Sequence, residues 1–417
     1  MWRLIAFLLT IPAGLAFASS DVLKTGSNAH APAPRQIAQA GPASGHAAKP
    51  MKVLWQKTFG GAKWDGAAAI AALPDGGLIV AGSTRSKGAG STDVWLLRLD
   101  GAGQVLWDKT YGGRSNDRAY AVVSLPDGGF AIAGGTYSKG AGSQDAWVLR
   151  LDAKGDLLWD KTFGGPSLEA ARAIVALPDG GIAVAGETHS KGAGASDAWV
   201  LRLDPKGRTM WEKTFGGKKW EWAGSIVALP DRGFAVAGWT ESKGAGGRDA
   251  WVFRLDKDGR LLWDRTFGGA EDDRARAIIR LPFGAFAVAG WTKSKGAGRF
   301  DAWLLHLDQK GRLKRDKTFG GRNFDGAYSL VGQPDGSYAV LAWTTSKGAG
   351  QVDAWLQRVD MFGRIGWGKT FGGADSDGIY QIVALRDGGF ALAGYTYSKG
   401  AGDGDVWVLR LGLRSSK

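Results

Sequence analysis

The sequence predicts an all-β fold, a seven-bladed β-propeller of four-stranded antiparallel blades, and three observations predict it. The pentapeptide SKGAG starts at Ser86, Ser138, Ser190, Ser242, Ser294, Ser346 and Ser398, a constant step of 52 residues without insertion or deletion. Within each step four short runs of β-type residues alternate with turn signals, and no long helical period intervenes. The array opens on a lone run of the fourth type, Val53 to Phe59, and stops after a run of the third type, Asp405 to Leu411.

Each element follows from local chemistry. In the unit from Ala171 to Gly217 the runs are Ala173 to Leu177, Ile182 to Thr188, Asp197 to Leu203 and Thr209 to Phe215. PDGG joins the first two, with Gly180 and Gly181 free to take positive φ, and DPKG joins the last two. The Thr of TFGG or TYGG recurs at Thr58, Thr110, Thr162, Thr214, Thr266, Thr318 and Thr370, and an Asp-x-Trp pair recurs from Asp93/Trp95 to Asp405/Trp407. A unit of this length can bury its apolar faces only against copies of itself. A solenoid needs polar capping repeats, and neither terminal unit differs from the rest. Radial closure is therefore expected, with the N-terminal run completing the last blade.

The opening MWRLIAFLLTIPAGLAFASS has a basic residue at Arg3, an apolar run too short to span a bilayer, and Ala16 and Ala18 ahead of Ser19. This is the pattern of a secretory signal peptide, residues 1–18. Residues 19–52, rich in Ala, Pro, Gly and Ser, read as a flexible leader, and residues 53–417 as the propeller. The chain has no cysteine, which excludes a lipoprotein anchor, disulfides and thiolate metal sites. A secreted or periplasmic monomer with no membrane span is expected. Net charge is +13, which fits acidic partners such as anionic polysaccharide and also serves solubility; a secreted chain seldom meets nucleic acid.

The Asp-x-x-Gly-x-x-x-Trp element, as in Asp152, Gly155 and Trp159, resembles the tryptophan-docking motif of the quinoprotein-alcohol-dehydrogenase-like (PQQ-like) propellers. The whole unit is similar to secreted prokaryotic propeller repeats over about residues 53–411. The resemblance implies the fold and leaves the function open. The adjacent cysteines that cover the quinone in many such enzymes are missing here.

SKGAG itself reads as architectural: its glycines suit a wide turn, and the Asp three residues later can accept from loop amides. A phosphate-cradling loop would need to run into a helix, and none is expected. Two charged rings share this rim. One is Lys87, Lys139, Lys191, Lys243, Lys295, Lys347 and Lys399; the other is Asp65, Asp117, Glu169, Glu221, Asp273, Asp325 and Asp377. The rings are expected to pair with each other. The alternative is that the acids line the channel mouth and hold a cation, with Ca²⁺ the one oxygen-ligated candidate; no other cofactor is expected.

Positions that vary between matching units are free of the demands of the fold. One such column is the triplet after Gly-Gly, from Ala62-Lys63-Trp64 to Ala374-Asp375-Ser376; another is Ser83, Gly135, Glu187, Trp239, Trp291, Trp343 and Tyr395. Of the 20 Trp, seven belong to Asp-x-Trp and six to the docking position, where Arg315 breaks the series. Trp2 goes with the signal, leaving Trp64, Trp220, Trp222, Trp239, Trp291 and Trp343. Exposed aromatics on one sector suit sugar rings or a protein partner. The candidate partner-binding residues are thus Trp239, Trp291, Trp343, Tyr395, Trp64 and Trp220, with inter-blade packing as their plain alternative. Arg315, His306 and Ala342 in the sixth unit read as drift. Only four His are present, and a sevenfold acid ring singles out no acid and no base, so no catalytic residue is assigned. The sequence points to a non-catalytic scaffold or binding module for a protein or envelope polysaccharide through the SKGAG rim. The alternative is a carbohydrate-active or quinone-dependent enzyme using the central channel.

Overall fold

The computed structural model describes residues 51–413; the signal peptide and nearly all of the leader lie outside the described residues. Strands are numbered β1 to β28 along the chain. Seven four-stranded antiparallel sheets form the ring, and blades one to six are consecutive meanders over residues 65–111, 117–163, 169–215, 221–267, 273–319 and 325–371. The seventh is shared between the two ends of the array. β26 (Asp377–Ala384), β27 (Phe390–Thr396) and β28 (Asp405–Leu413) are completed by β1 (Met51–Phe59), which pairs antiparallel with β28. β1 begins two residues before the expected Val53, because Met51 pairs with Leu413 and Lys52 with Gly412. Among the described residues the one helical element is a 3₁₀ turn at Pro282–Gly284, and no helix is long and apolar enough to cross a membrane.

Burial follows strand position. The second and third strands of each blade are almost wholly buried, since both faces meet neighbouring blades, and they read as continuous apolar runs. Apolar clusters sit between consecutive blades; one joins Leu125, Ala131 and Val148 of blade two to Ile182, Val184 and Trp199 of blade three. Fourth strands form the rim of the disc, where Leu106, Leu158 and Met210 stand more than half exposed. The docking Trp, present on six of the seven fourth strands, reaches the next blade. Trp55 donates from Nε1 to the Gly101 carbonyl at 3.1 Å, and its ring lies where a Cβ on Gly103 would be 2.9 Å away. Gly103 also has φ +76, so that turn requires glycine twice over.

The PDGG turn is equally regular. Its first Gly takes positive φ in six blades, from Gly76 to Gly388, while the second, such as Gly181, stays at negative φ and is crowded by the Leu203 carbonyl. Blade four places Arg232 there with φ 65. An L-residue in this region costs about 1–2 kcal/mol. Arg232→Gly, which keeps the backbone hydrogen bond to Leu229, is expected to stabilise the protein by up to about 1 kcal/mol, read as a rise in thermal midpoint.

The inner strands carry the feature that shapes the channel. β2 (Asp65–Ala72), β6 (Asp117–Ser124), β10 (Glu169–Ala176), β14 (Glu221–Ala228), β18 (Asp273–Arg280), β22 (Asp325–Gly332) and β26 each have one bulged residue. These residues are Ala68, Tyr120, Arg172, Gly224, Arg276, Tyr328 and Tyr380, which skip the pairing with the second strand. A bulge re-aims the side chain it frees, and seven bulges at one level make a ring of side chains around the axis.

Candidate binding site at the SKGAG face

The seven ring acids do not pair with the SKGAG lysines, and the expected pairing of the two rings is corrected by burial. Asp65, Asp117, Glu169, Glu221, Asp273, Asp325 and Asp377 are at most 1% exposed. Each binds the loops around it. Asp65 accepts from Gly61 N at 2.8 Å, Ser86 Oγ at 2.7 Å, Arg85 N at 3.2 Å and Thr84 Oγ1. Glu221, one methylene longer, accepts from Gly217 N, Thr240 Oγ1 and Ser242 N at 2.7, 2.9 and 3.1 Å. The acids therefore anchor the Ser of SKGAG and the Gly-Gly turn inside the ring, and offer no open mouth to a cation.

The SKGAG loop also ties neighbouring blades. The amide of each ring acid donates to the preceding blade's loop: Asp117 N to Thr92 O at 2.7 Å, Glu169 N to Gln144 O at 2.8 Å, and across the closure Asp65 N to Gly404 O at 2.8 Å. Gly88 takes φ +100, and a Cβ on Gly90 would stand 2.4 Å from the carbonyls of Gly113 and Ser115 in the next blade. As expected from sequence, the following Asp satisfies the loop: Asp93 Oδ2 accepts from Gly90 N at 2.9 Å. Burial first, and then the neighbouring ring acid Asp117, raise the Asp93 pKa.

The lysines lie instead along the Asp-x-Trp indoles, 4.1–5.5 Å from the ring centres in all seven blades. In five blades the ammonium meets a fourth-strand acid, Asp108, Asp160, Glu212, Asp264 or Asp316. The same carboxylate accepts from the indole in blade one, where Trp95 Nε1 reaches Asp108 Oδ2 at 3.0 Å. Blade seven uses Gln56, 3.0 Å from Lys399. In blade six Gly368 supplies no acid, and Gln357, with its amide oxygen toward the indole, accepts from Trp355 Nε1 at 2.9 Å. The repeated groups of this face are thus largely occupied by one another.

The varied positions behave differently from one another. In the triplets the first residue is exposed in every blade, including Arg114, Lys218 and Arg322, and the third, including Trp64 and Trp220, is half-buried. The aromatic column is not an exposed sector: Trp239 and Trp291 are 7% and 6% exposed, and Trp343 and Tyr395 are half-buried. Each stands opposite the second residue of its inner strand, Trp222, Arg274, Gly326 and Gly378 respectively. Glycine there makes room, since a Cβ on Gly326 would lie 2.7 Å from the Trp343 ring.

These rings join the bulge residues into a belt at the SKGAG end of the channel. Trp239 and Trp222 stack with centres 6.5 Å apart, and Trp222 covers Gly224, filling its gap in the bulge ring. The Arg276 guanidinium lies 4.6 Å from the Trp222 ring centre and 4.9 Å from that of Trp291. Trp291 meets Tyr328, then Tyr380, Tyr395 and Tyr397 follow with centres 5.2–5.6 Å apart. On the blades before them, Arg172 lies 4.3 Å from the Tyr120 ring centre and donates to Glu187 at 3.1 and 2.6 Å. Burial opposes the Arg172 charge, but Glu187 and Tyr120 outweigh it and hold its pKa above the ordinary value. Burial, reinforced by Arg248 and Arg276, pulls Arg274 down to about 10.

Sequence reasoning found Trp239, Trp291, Trp343 and Tyr395 but missed Tyr120, Arg172, Arg276, Tyr328 and Tyr380. The signal was a third varied column, three residues after each ring acid, in which Ala68 and Gly224 stand beside Tyr and Arg.

No known protein-family model matches the chain. A stretch of 187 residues, 38% of this chain, is 29% identical to the regulatory protein FlaEY of Caulobacter vibrioides, and the match spans 20% of that protein. The structure of the Neurospora crassa Pan2 WD40 domain is similar with a TM-score of 0.55 at 12% identity, covering 89% of this chain and 98% of that one. A fungal alcohol oxidase of the AA5 family, solved with copper, has a TM-score of 0.51 at 14% identity, covering 87% and 76%. At these identities the likenesses show the fold alone: the chain is a seven-bladed β-propeller.

Proposed function

We propose that this protein is a non-catalytic binding module that is exported and engages an acidic envelope glycan or protein through its SKGAG face. One contrast carries the reading. The repeated polar groups of that face are largely occupied with one another, whereas the triplets that differ from blade to blade project outward. Their first two positions hold five basic residues, Lys63, Arg114, Lys218, Lys219 and Arg322, against two acids, Glu271 and Asp375, and Glu271 is already held by Lys293 at 2.7 Å. Charge of one sign on variable, exposed sites steers an acidic partner without touching the fold. The buried state of the ring carboxylates supports the non-catalytic reading, because none is free to exchange a proton with a substrate. Export is supported by the N-terminal sequence.

The test is capture from an envelope extract by the mature chain beside an Arg114→Ser/Lys218→Ser/Lys219→Ser variant with an unchanged thermal midpoint. A partner held by the first and lost by the second supports the reading. Equal capture by both, or none by either, overturns it. Trp239 and Trp291 are unsuitable for this test, since their removal would empty the belt.

A further inference from the structure

We propose that the SKGAG end of the central channel is a ligand site in which Arg276 binds an oxyanion, a carboxylate or phosphate group, between the indoles of Trp222 and Trp291. The site is distinct from the exposed triplets and does not depend on their role.

Four arginines reach the belt, Arg248 by lying 4.6 Å from the Trp239 ring centre. Arg172 is paired with Glu187 at 2.6 Å, Arg248 with Glu241 at 2.7 Å and Arg274 with Asp272 at 3.4 Å. In these three a carboxylate compensates the charge held beside the aromatics. Arg276 has none within ion-pair distance among the described residues, and its Nε is enclosed without a partner. Among these four, the uncompensated positive charge is that of Arg276.

Its position is axial. Arg276 is the bulged residue of β18, and it lies within electrostatic reach of Arg172 and Glu187 on blade three, Tyr328 on blade six and Tyr380 on blade seven. Only the channel brings those inner strands together. Stacking on two indoles contributes about 0.5–2 kcal/mol, whereas taking a guanidinium from water costs several. A ring face engages the face of a guanidinium, whereas its donors lie at the edge. Those donors form a planar fork that matches two oxygens of a carboxylate or phosphate. Burial lowers the Arg276 pKa from a value so high that the group stays cationic at neutral pH. Tyr328, raised by burial, stays protonated there and adds a hydroxyl donor at the same level, while the Tyr380 hydroxyl donates to Tyr395.

The indoles make the site report on itself. Sodium glucuronate and sodium phosphate, each titrated to about 10 mM into the full chain at constant ionic strength, are expected to change tryptophan fluorescence saturably for at least one probe. Glucuronate alone would assign a carboxylate ligand, and phosphate alone a phosphorylated one. Arg276→Gln is expected to weaken the effective probe at least tenfold, and Arg276→Lys, which keeps charge but loses the fork, to fall between. A response no larger than sodium chloride gives, or one undiminished in Arg276→Gln, would overturn the proposal. Should Arg276→Gln not fold, the side-chain Nε–H resonance of arginine in the wild-type chain decides, since bound oxyanion shifts one such signal saturably and an empty site shifts none. The Arg114/Lys218/Lys219 variant should respond as wild type, so failure of the rim reading leaves this result intact.

Discussion

A chain truncated ahead of Gly60 is expected to lose cooperative folding. β1 contributes eight paired residues to β28 and lays Met51, Val53, Trp55 and Phe59 on the clusters beside the seventh blade. Apolar burial alone makes this about 5 kcal/mol, comparable to the whole stability of many domains. The loss also opens β28, whose edge would then carry unpaired amides and carbonyls beside Trp407 and Leu409. Thermal unfolding followed by circular dichroism, with size-exclusion chromatography, should show a broad transition and higher-order species. A truncated chain that stays monomeric with an unchanged midpoint would mean that the ring closes by other contacts.

The second large effect separates the two charged rings. Asp65→Ala removes the acceptor of Gly61 N, Arg85 N, Ser86 Oγ and Thr84 Oγ1 at a site with no exposed surface. Each orphaned donor costs about 1–3 kcal/mol less whatever water recovers, so a loss of about 3–5 kcal/mol is expected. Lys87→Ala removes only a surface pair with Asp108 and one contact with Trp95, and should cost at most about 1 kcal/mol. Chemical denaturation of the two variants measures both. Equal losses would return the lysines to a structural role the geometry does not give them.

Most of the fold was legible in the repeat. Ile182–Thr188, Asp197–Leu203 and Thr209–Phe215 are strands with the boundaries the sequence predicts, because buried runs and glycine turns mark both ends. The inner strand was not: it starts at Glu169 rather than Ala173, since the bulge at Arg172 breaks the alternation and a buried acid opens the strand. The acid ring was visible as a column, but its partners are backbone amides and hydroxyls that no charge pattern announces.

Arg315 and His306 show the opposite lesson. They belong to the fifth blade and face each other across strands, where other blades pair Arg with Trp, as Arg254 does with Trp263. Here the aromatic and the cation have exchanged strands. The His306 ring takes the place over Gly363 that a docking Trp holds elsewhere, Arg315 donates to the Phe362 carbonyl, and His306 bonds the Tyr338 hydroxyl. The Asp that would pair with an Arg at His306 is also gone, its position taken by Phe283. What reads as drift in one column is a compensated set across four.

SKGAG ties neighbouring blades together, and recognition is proposed where the blades differ. Hydrogen–deuterium exchange of the unliganded chain tests it most directly, through peptides spanning Asp65, Asp117, Glu169, Glu221, Asp273, Asp325 and Asp377. Slow, closely matched exchange is expected at all seven amides, each held by the preceding blade's loop at 2.6–3.0 Å. Exchange at free-loop rates in the absence of a partner would contradict it, and would make the repeated loop a ligand element after all.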